Sequence, residues 1–422
     1  MGQEVVISPA AEASGVTQSA GLDSKFIWTK REALKTFIGL AIVTALVYLA
    51  WILGNNPDFG SNASFSLLIG VALGILFERG RFCFFCIFRD LAEHRVAVGT
   101  ISILVALATG TLGYSIVFAL FLPVPNGEFL PPSAHISPVS WALVAGAFAF
   151  GLGMVLSGAC IAGHLYRLGQ GSLRAIPSLV GVVLGLSLGL IGWNDIYLNL
   201  IQDAPTIWLP DSLGYAGSLV LTLFVIGTLA VAAIAYSKRR DRNYEVLSNP
   251  FDLKSIAYSL LRKRWSPALV GIAIGVIGTV AYLRIEPLGV TRQFASASRT
   301  ILETQGLIPD FLYGMDALAG CIGLVGQAIT NNGWLILGLV LASFAAALAG
   351  GRFKIERLSF KGAVSGFAGG ILLGWGALVS LGCTIGVLLS GVQAFSVSGW
   401  VFGLVVFAVV FLGIKLRLHT FA

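Results

Sequence analysis

The chain has 422 residues, of which 56% are hydrophobic and only 11% are charged, and its formal net charge is +7. Because a soluble domain has about 25% charged residues, this composition excludes a soluble globular protein and predicts an all-α polytopic membrane protein. The basic residues lie mostly in loops and report membrane topology, so no nucleic-acid partner is indicated, and no G-x-x-x-x-G-K-[ST] loop for ATP is present.

The N-terminal part of the chain predicts a tail and one extra helix. Residues 1–30 are polar and rich in Ser and Ala, which is typical of a disordered tail. The apolar run 34–53 has about the length of a span and lacks a small-residue cleavage site, so we expect an uncleaved helix. Lys30, Arg31 and Lys35 accompany its start and predict a cytoplasmic N-terminus.

The stretch RFCFFCIFRD (81–90) holds Cys83 and Cys86 in a Cys-x-x-Cys spacing, which is usually typical of redox chemistry or of a metal site. The apolar run before it, residues 64–77, has only fourteen residues. A run of that length is too short to cross a bilayer comfortably, so we expect a re-entrant element at this place in the chain.

Charged loops divide the remaining chain into two transmembrane halves. Residues 237–265 have eight Lys or Arg against three acids and predict a cytoplasmic linker. The linker separates a first half, 31–236, which includes the extra N-terminal helix, from a second half, 266–422. The acidic segment 193–214 holds no Lys or Arg, so we expect it on the outer face.

Two Gly-rich segments, one in each half, resemble each other. GLGMVLSGACIAGHLYRLGQ (151–170) aligns without a gap on GWGALVSLGCTIGVLLSGVQ (374–393), with seven identities in twenty positions. Coincidence between Gly-rich helices is the alternative explanation. The helix before Cys160 starts from an acidic outer loop, whereas the helix before Cys383 starts from the basic inner turn 350–361, which predicts inverted repeats. We therefore expect broken helices that meet at the midplane and bring the two cysteines together.

Four stretches carry a resemblance to a known family: GRFCFFCIFRDL (80–91), SGACIAGH (157–164), EPLGVT (286–291) and LGCTIG (381–386). At these residues the chain resembles the YeeE/YedE family of bacterial membrane proteins, which take up thiosulfate or related sulfur or selenium compounds. The resemblance implies an inner-membrane permease with a cytoplasmic TusA-like sulfurtransferase as a partner. Its pathway residues would be Cys83, Cys160, Cys383, Gly163 and His164. Thr291 looks like the second-half counterpart of Cys83, and Cys86 stands where relatives have a small residue such as Gly.

The chemistry that we expect is a route for a soft anion past neutral thiols. A charge at the bilayer centre costs roughly 3 kcal/mol or more, so the route must offer hydrogen-bond donors. Helix N-termini and polarizable S–H groups supply them, whereas a central Lys or Arg would hold the ion too firmly. The candidate pathway residues are Cys83, Cys86, Cys160, Cys383, His164, Thr291, Thr384, Gly163 and Gly386. No enzyme activity, cofactor or bound metal is expected.

Several alternatives stay open at this point. Cys83 and Cys86 would suit a membrane thiol–disulfide oxidoreductase, although the predicted outer loops hold no second cysteine pair. A metal transporter is disfavoured because the motif lacks neighbouring His and carboxylates, and because Cu(I) prefers Met, of which there are three. A selenium compound is an alternative cargo. A buried free cysteine is often a small hydrophobic residue, and we assign Cys321 to packing.

Overall fold

The computed structural model describes residues 30–57, 59–127, 129–237, 264–315, 318 and 329–421. Within these ranges nine helices are long and apolar enough to cross a membrane, and backbone pairing outside helices is limited to isolated bridges. The predicted class, an all-α polytopic membrane protein, is confirmed. The predicted tail before Lys30, linker residues 238–263 and Cys321 lie outside the described residues.

Fifteen helices are described, and they are named here in chain order. They are α1 (Lys30–Asn55), α2 (Gly60–Gly80), α3 (Phe84–His94), α4 (Val98–Phe121), α5 (Trp141–Ser157), α6 (Ile161–Gln170), α7 (Ala175–Ile191), α8 (Trp193–Ile201), α9 (Leu209–Tyr236), α10 (Pro267–Arg284), α11 (Arg292–Thr304), α12 (Asn331–Ala349), α13 (Phe360–Val379), α14 (Thr384–Gln393) and α15 (Val397–Lys415). The first seven residues of α14 are π-helical, and α7 and α8 meet at a bend of 64°.

Helix α2 is longer than the sequence predicted. It has 21 residues and continues through Glu78 and Arg79 to Gly80, which gives a length of about 31 Å at 1.5 Å per residue, enough to cross a bilayer. The charged residues are tolerated inside because the Glu78 carboxylate accepts hydrogen bonds of 2.7 and 2.9 Å from Arg352, while Arg79 lies 3.5 Å away on its other side. A buried carboxylate with cationic partners costs far less than an unpaired one.

Helix pairs of the two halves pack in matching ways. Helix α2 of the first half packs against α12 of the second half, and the equivalent pair is α10 with α4. In the same way α5 packs against α15, and the equivalent pair is α13 with α7. At the centre α5 and α13 cross antiparallel, with α6 against α12 and α14 against α4. This exchange of partners is what two repeats of opposite direction produce around a pseudo-two-fold axis.

Close backbone contacts at the central crossing repeat across this axis. Equivalent residues of the two repeats are 223 positions apart, as in Cys160 and Cys383. A Cβ on Gly146 would lie 2.7 Å from the backbone N of Ser380, and a Cβ on Gly369 would lie 2.7 Å from the backbone N of Ser157. Glycine is required at both places because a side chain would collide with the facing backbone.

The two ends of the bundle are marked by different loops. At the basic end, Lys354 donates a backbone hydrogen bond to Gln170, so the end of α6 lies beside the basic turn that precedes α13. At the acidic end, Val139 before α5 bonds to Pro205, and Leu209 bonds to Phe395 after α14. Each broken helix pair therefore runs between the ends, α5–α6 from acidic to basic and α13–α14 from basic to acidic.

Candidate functional site

The breaks in the two central helix pairs are built alike. Ser157 Oγ lies 2.7 Å from the carbonyl oxygen four residues before it and 3.0 Å from the one two residues after it; for Ser380 Oγ these distances are 2.6 and 3.1 Å. The next residue is left-handed in both, Gly158 at φ 82° and Leu381 at φ 59°. Each hydroxyl thus bridges a carbonyl oxygen of the helix that ends and a carbonyl oxygen of the residues before the next helix, where backbone partners are missing.

Four residues singled out from the sequence each cap the start of a short helix. Cys160 and Cys383 are the N-cap residues of α6 and α14, and Cys83 and Thr291 are the N-cap residues of α3 and α11. The Cys160 sulfur accepts a hydrogen bond of 3.3 Å from the backbone N–H of Gly163. A helix N-terminus carries partial positive charge and free N–H groups, so all four positions favour a nearby anion.

The central thiols lie close to one another. The Cys83 thiol is in hydrogen-bonding contact with the thiols of Cys86 and Cys160, and Cys160 contacts the Thr384 hydroxyl and lies close to Cys383. We call these five residues the thiol line. Among the described cysteines no disulfide is present, and Cys83, Cys160 and Cys383 are each 1% exposed or less. The line therefore offers thiol and hydroxyl groups in a site of which all but Cys86 is closed to bulk solvent.

Gly163 sets the width of the thiol line. A Cβ at this position would lie 2.8 Å from Cys83 Sγ and 3.5 Å from Cys160 Sγ, so only glycine leaves the two sulfurs their present places. Its repeat counterpart Gly386 faces the His135 ring, which a Cβ would approach to 3.2 Å. Across the described ranges, no group of three or more His, Cys, Asp or Glu side chains is arranged to hold a metal ion.

A pocket lies at the acidic end of the thiol line, and we call it the acidic-end pocket. Its main lining residues are His135, Glu286, Thr291, Arg292, Asn332 and Gly386. Glu286 forms an ion pair with Arg292, and Asn332 Nδ2 donates a 2.7 Å hydrogen bond to the Gly289 carbonyl oxygen. Burial and the nearby Arg292 lower the pKa of His135 to about 3, so its ring is neutral at physiological pH.

A second pocket lies at the basic end, and we call it the basic-end pocket. Its polar lining residues include Arg89, His164, Arg167, Arg174, Glu356 and His419. Arg167 connects it to the thiol line, because its Nη2 donates a 2.7 Å hydrogen bond to Cys86 Sγ and its Nη1 a 3.0 Å hydrogen bond to the Gly158 carbonyl oxygen. Arg174 Nη2 donates to the Leu156 carbonyl oxygen over 3.1 Å.

The predicted pathway residues fall into three connected groups in the structure. Cys83, Cys86, Cys160, Cys383 and Thr384 form the thiol line, with Gly163 between the sulfurs of Cys83 and Cys160. Thr291 and Gly386 line the acidic-end pocket, and His164 lines the basic-end pocket. Each of the nine residues thus lies in the thiol line, between its sulfurs or in the lining of one of the two pockets.

The sequence reasoning missed the charged residues of both pockets. Arg167 had a signal, because an ionisable residue inside an apolar helix is a functional candidate by default. Arg174 and Arg292 were not singled out from the sequence. His135 and Glu286 had no local signal, since only the fold brings a loop histidine to Gly386 and to the start of α11.

The chain is similar to proteins that are named as transporters, two of them as thiosulfate transporters. It is 27% identical over 344 residues to the thiosulfate transporter TsuA of Escherichia coli. This alignment covers 79% of the chain and 89% of the transporter. It is 29% identical over 350 residues to the thiosulfate transporter TsuA of Spirochaeta thermophila, at 79% and 92% coverage. It is 28% identical over 206 residues to the probable transporter YedE of Salmonella typhimurium, at 48% and 45% coverage.

The family model described as sulphur transport matches residues 79–412. This match includes both central breaks, the whole thiol line and the residues that line the two pockets, apart from His419. The multi-pass helical fold agrees with a transport protein. The chain therefore belongs to the Sulphur transport family.

Proposed function

We propose that this protein is a permease that imports thiosulfate, or a related small sulfur-containing anion, through the thiol line. One observation carries the proposal: four thiols, three of them buried, lie close together inside a membrane protein that has a polar pocket toward each end. The relatives named as thiosulfate transporters, each with about 90% of its length covered, support the choice of substrate.

The physical argument concerns the cost of an anion inside the membrane. A charge at the bilayer centre costs roughly 3 kcal/mol or more unless donors replace its hydration. In the thiol line, the S–H groups and the Thr384 hydroxyl would donate in turn to the polarizable terminal sulfur of thiosulfate. The N-termini of α3, α6 and α14 add backbone N–H groups at the same place. Each contact is weak, so the ion binds and leaves quickly.

Direction and location follow from the charge of the loops. The basic end would face the cytoplasm of a bacterium, with the protein in its inner membrane. Gly39 of α1 packs against Ala345 near the basic end of α12, so the N-terminus would also be cytoplasmic. We further propose that α1 lies outside the two repeats, which occupy the rest of 31–236 and 266–422.

A cytoplasmic sulfurtransferase of the TusA-like kind would be a partner at the basic end. Support comes from the family resemblance of the motifs and from the position of the basic-end pocket, where a transported anion would emerge. Co-purification of a tagged sulfurtransferase with the full chain would test this proposal. Arg357→Glu and Lys361→Glu, on the basic turn, should weaken a complex with an acidic partner surface.

Transport is tested by growth and uptake. The intact chain should restore growth of a sulfur-uptake-deficient bacterium on thiosulfate as sole sulfur source, and should take up radiolabelled thiosulfate in vesicles. Cys160→Ala and Cys383→Ala should fail in both assays, whereas Cys321→Ala, a cysteine that we assign to packing, is the matched control. Full uptake after deletion of Cys83, Cys160 and Cys383 together would refute the mechanism. Competition of selenium compounds with radiolabelled thiosulfate for uptake would establish which substrate the protein prefers.

The oxidoreductase alternative makes a different prediction for Cys86. A thiol–disulfide enzyme would lose all activity in Cys86→Ala, because it needs both cysteines of the Cys83–Cys86 pair. A permease needs only an open line, so Cys86→Ala should keep much of its thiosulfate uptake. Loss of uptake equal to that of Cys83→Ala, together with a Cys83–Cys86 disulfide trapped during turnover, would favour the enzyme.

A further inference from the structure

The basic-end pocket holds hydrogen-bond donors that the described protein groups leave unused. His164 Nε2, Arg89 Nε and Arg174 Nε are buried, and none of these three atoms has a hydrogen-bond partner among the described residues. His164 is 2% exposed and lines the pocket together with both arginines. Since an unsatisfied buried polar group costs about 1–3 kcal/mol, the arrangement indicates that a hydrogen-bond acceptor occupies the pocket during function.

The charge of the pocket points to an anion as that acceptor. Three arginines line it, Arg89, Arg167 and Arg174, against the single lining acid Glu356, which accepts a 2.7 Å hydrogen bond from the Ser172 hydroxyl. Guanidinium groups are planar forks of donors that match the oxygens of sulfonate, sulfate or phosphate groups. A neutral or cationic ligand would not use this set of donors.

The repeat shows that the fold does not require these cations. The positions 223 residues after His164, Arg167 and Arg174 hold Val387, Ser390 and Val397. The same helix break therefore stands in the second half without any of the three polar residues. Arg167 and Arg174 also donate to carbonyl oxygens of the first break, but the second break forms without such donors, so the unused nitrogen atoms at the basic end point to a ligand.

We propose that the basic-end pocket is a binding site for a tetrahedral sulfur oxyanion, namely the sulfonate end of the substrate as it leaves the thiol line. The identity of the substrate rests on the proposed function, whereas the oxyanion site does not. Arg167 is placed for the transfer, because the guanidinium that contacts Cys86 Sγ also lines the pocket. Glu356, at the exposed rim, competes for the arginines and favours release.

Binding of inorganic sulfate and of thiosulfate to the purified full chain tests the site. Melting temperature is measured in detergent against sodium sulfate, sodium thiosulfate and sodium chloride at matched ionic strength, because a ligand of the folded state raises it. Sulfate and thiosulfate should both stabilise the protein beyond chloride. Arg89→Gln and Arg174→Gln should each weaken the apparent affinity about tenfold, which corresponds to one lost charged hydrogen bond.

The controls separate binding from folding and from transport. Arg357→Gln removes the same charge from an exposed position at the same end and should bind sulfate normally. Arg174→Lys should recover part of the affinity for sulfate. If Arg174→Gln lowers the melting temperature without ligand, Arg89→Gln tests the site in its place. Cys160→Ala should lose transport but keep sulfate binding, so the site and the proposed function fail independently.

Three results would overturn the oxyanion site. The first is stabilisation by sulfate that does not exceed stabilisation by chloride. The second is an equal loss of affinity in Arg357→Gln and Arg89→Gln, which would indicate a general charge effect. The third is loss of the sulfate effect when phosphatidylglycerol is added to the detergent, which would make a lipid phosphate the occupant.

Discussion

Arg167 Nη2 donates a hydrogen bond to Cys86 Sγ over 2.7 Å, and this contact joins the thiol line to the basic-end pocket. Cys86 is also the partly exposed member of the line, whereas Cys83, Cys160 and Cys383 are buried. It is therefore the thiol that a reagent arriving from the basic end reaches first. Because Cys86 is partly exposed and contacts Arg167, it forms the end of the thiol line nearest the basic-end pocket.

Alkylation at Cys86 should block uptake although its deletion does not. We expect N-ethylmaleimide, added on the basic-end side of oriented vesicles, to abolish thiosulfate uptake by the intact chain, because the adduct fills the mouth of the line. Cys86→Ala should lower the initial rate by about threefold or less, roughly one weak hydrogen bond, and should resist the reagent. If the reagent still inhibits Cys86→Ala, another thiol is the one that it reaches.

Substitution of each buried cysteine by alanine should slow transport, because each substitution removes one hydrogen-bond donor from the thiol line. Cys83→Ala, Cys160→Ala and Cys383→Ala should each lower the initial uptake rate by about tenfold or more, which is the loss of a single contact worth about 1.4 kcal/mol in the barrier. Cys160→Ser keeps a donor and should fall between the intact chain and Cys160→Ala. Radiolabelled thiosulfate in vesicles gives the rates, with Cys321→Ala as control.

A methyl group at Gly163 should close the line. In Gly163→Ala the new Cβ would lie 2.8 Å from Cys83 Sγ, so the sulfur must move toward the path of the substrate. Uptake should fall by about tenfold or more. Gly227→Ala on α9 is the matched control, because a Cβ there meets nothing within 4 Å. Similar rates for the two variants would show that the line is wider than the glycine contact indicates.

The two repeat-related serines should contribute equally to stability. Ser157→Ala and Ser380→Ala each remove a hydroxyl that bonds carbonyl oxygens at a helix break, and each should lower the free energy of unfolding by about 1 kcal/mol or more. Thr228→Ala, which removes an exposed 2.8 Å bond in the regular part of α9 well after the kink at Gly214, should cost less. Melting temperatures in detergent check this. Unequal effects would show that the two breaks are not energetically equivalent.

His135 should make the protein less stable at low pH. Its folded pKa of about 3 lies below the usual 6.5, so the unfolded state binds a proton first as the pH falls. Each pH unit below 6.5 should therefore cost about 1.4 kcal/mol of stability, down to pH 3. Between pH 6.5 and 5, His135→Gln should show a shallower decline than the intact chain. Parallel curves would exclude a buried neutral imidazole at this position.

Two residues of the thiol line, Cys160 and Cys383, could be named from the sequence because they sit on a repeat, whereas Cys83 was named from the family resemblance. Cys160 and Cys383 occupy the same place after the same Ser and Gly pattern, and a sequence alignment alone makes them equivalent. The break itself was predictable for the same reason. Its atomic cause, a serine hydroxyl that bonds carbonyl oxygens on both sides, appears only in the structure.

The pockets could not be predicted because they combine distant segments. His135 comes from a loop before α5, Arg292 from the start of α11 and Gly386 from α14, and only tertiary packing brings them together. The length of α2 was underestimated for a related reason. Glu78 looked like the end of a helix, and its partner Arg352 lies 274 positions further along the chain.

The backbone contacts of Gly146 and Gly369 restrict how the molecule can move. At these two symmetry-related points α5 and α13 contact each other through backbone atoms. If either helix slid by one residue, a side chain would collide with the backbone of the other helix. Large rocking of one half against the other is therefore blocked at the centre. If the thiol line is the transport route, access to it would then change through rotations of individual side chains and small shifts of α3, α6 and α14, within a central frame that stays fixed.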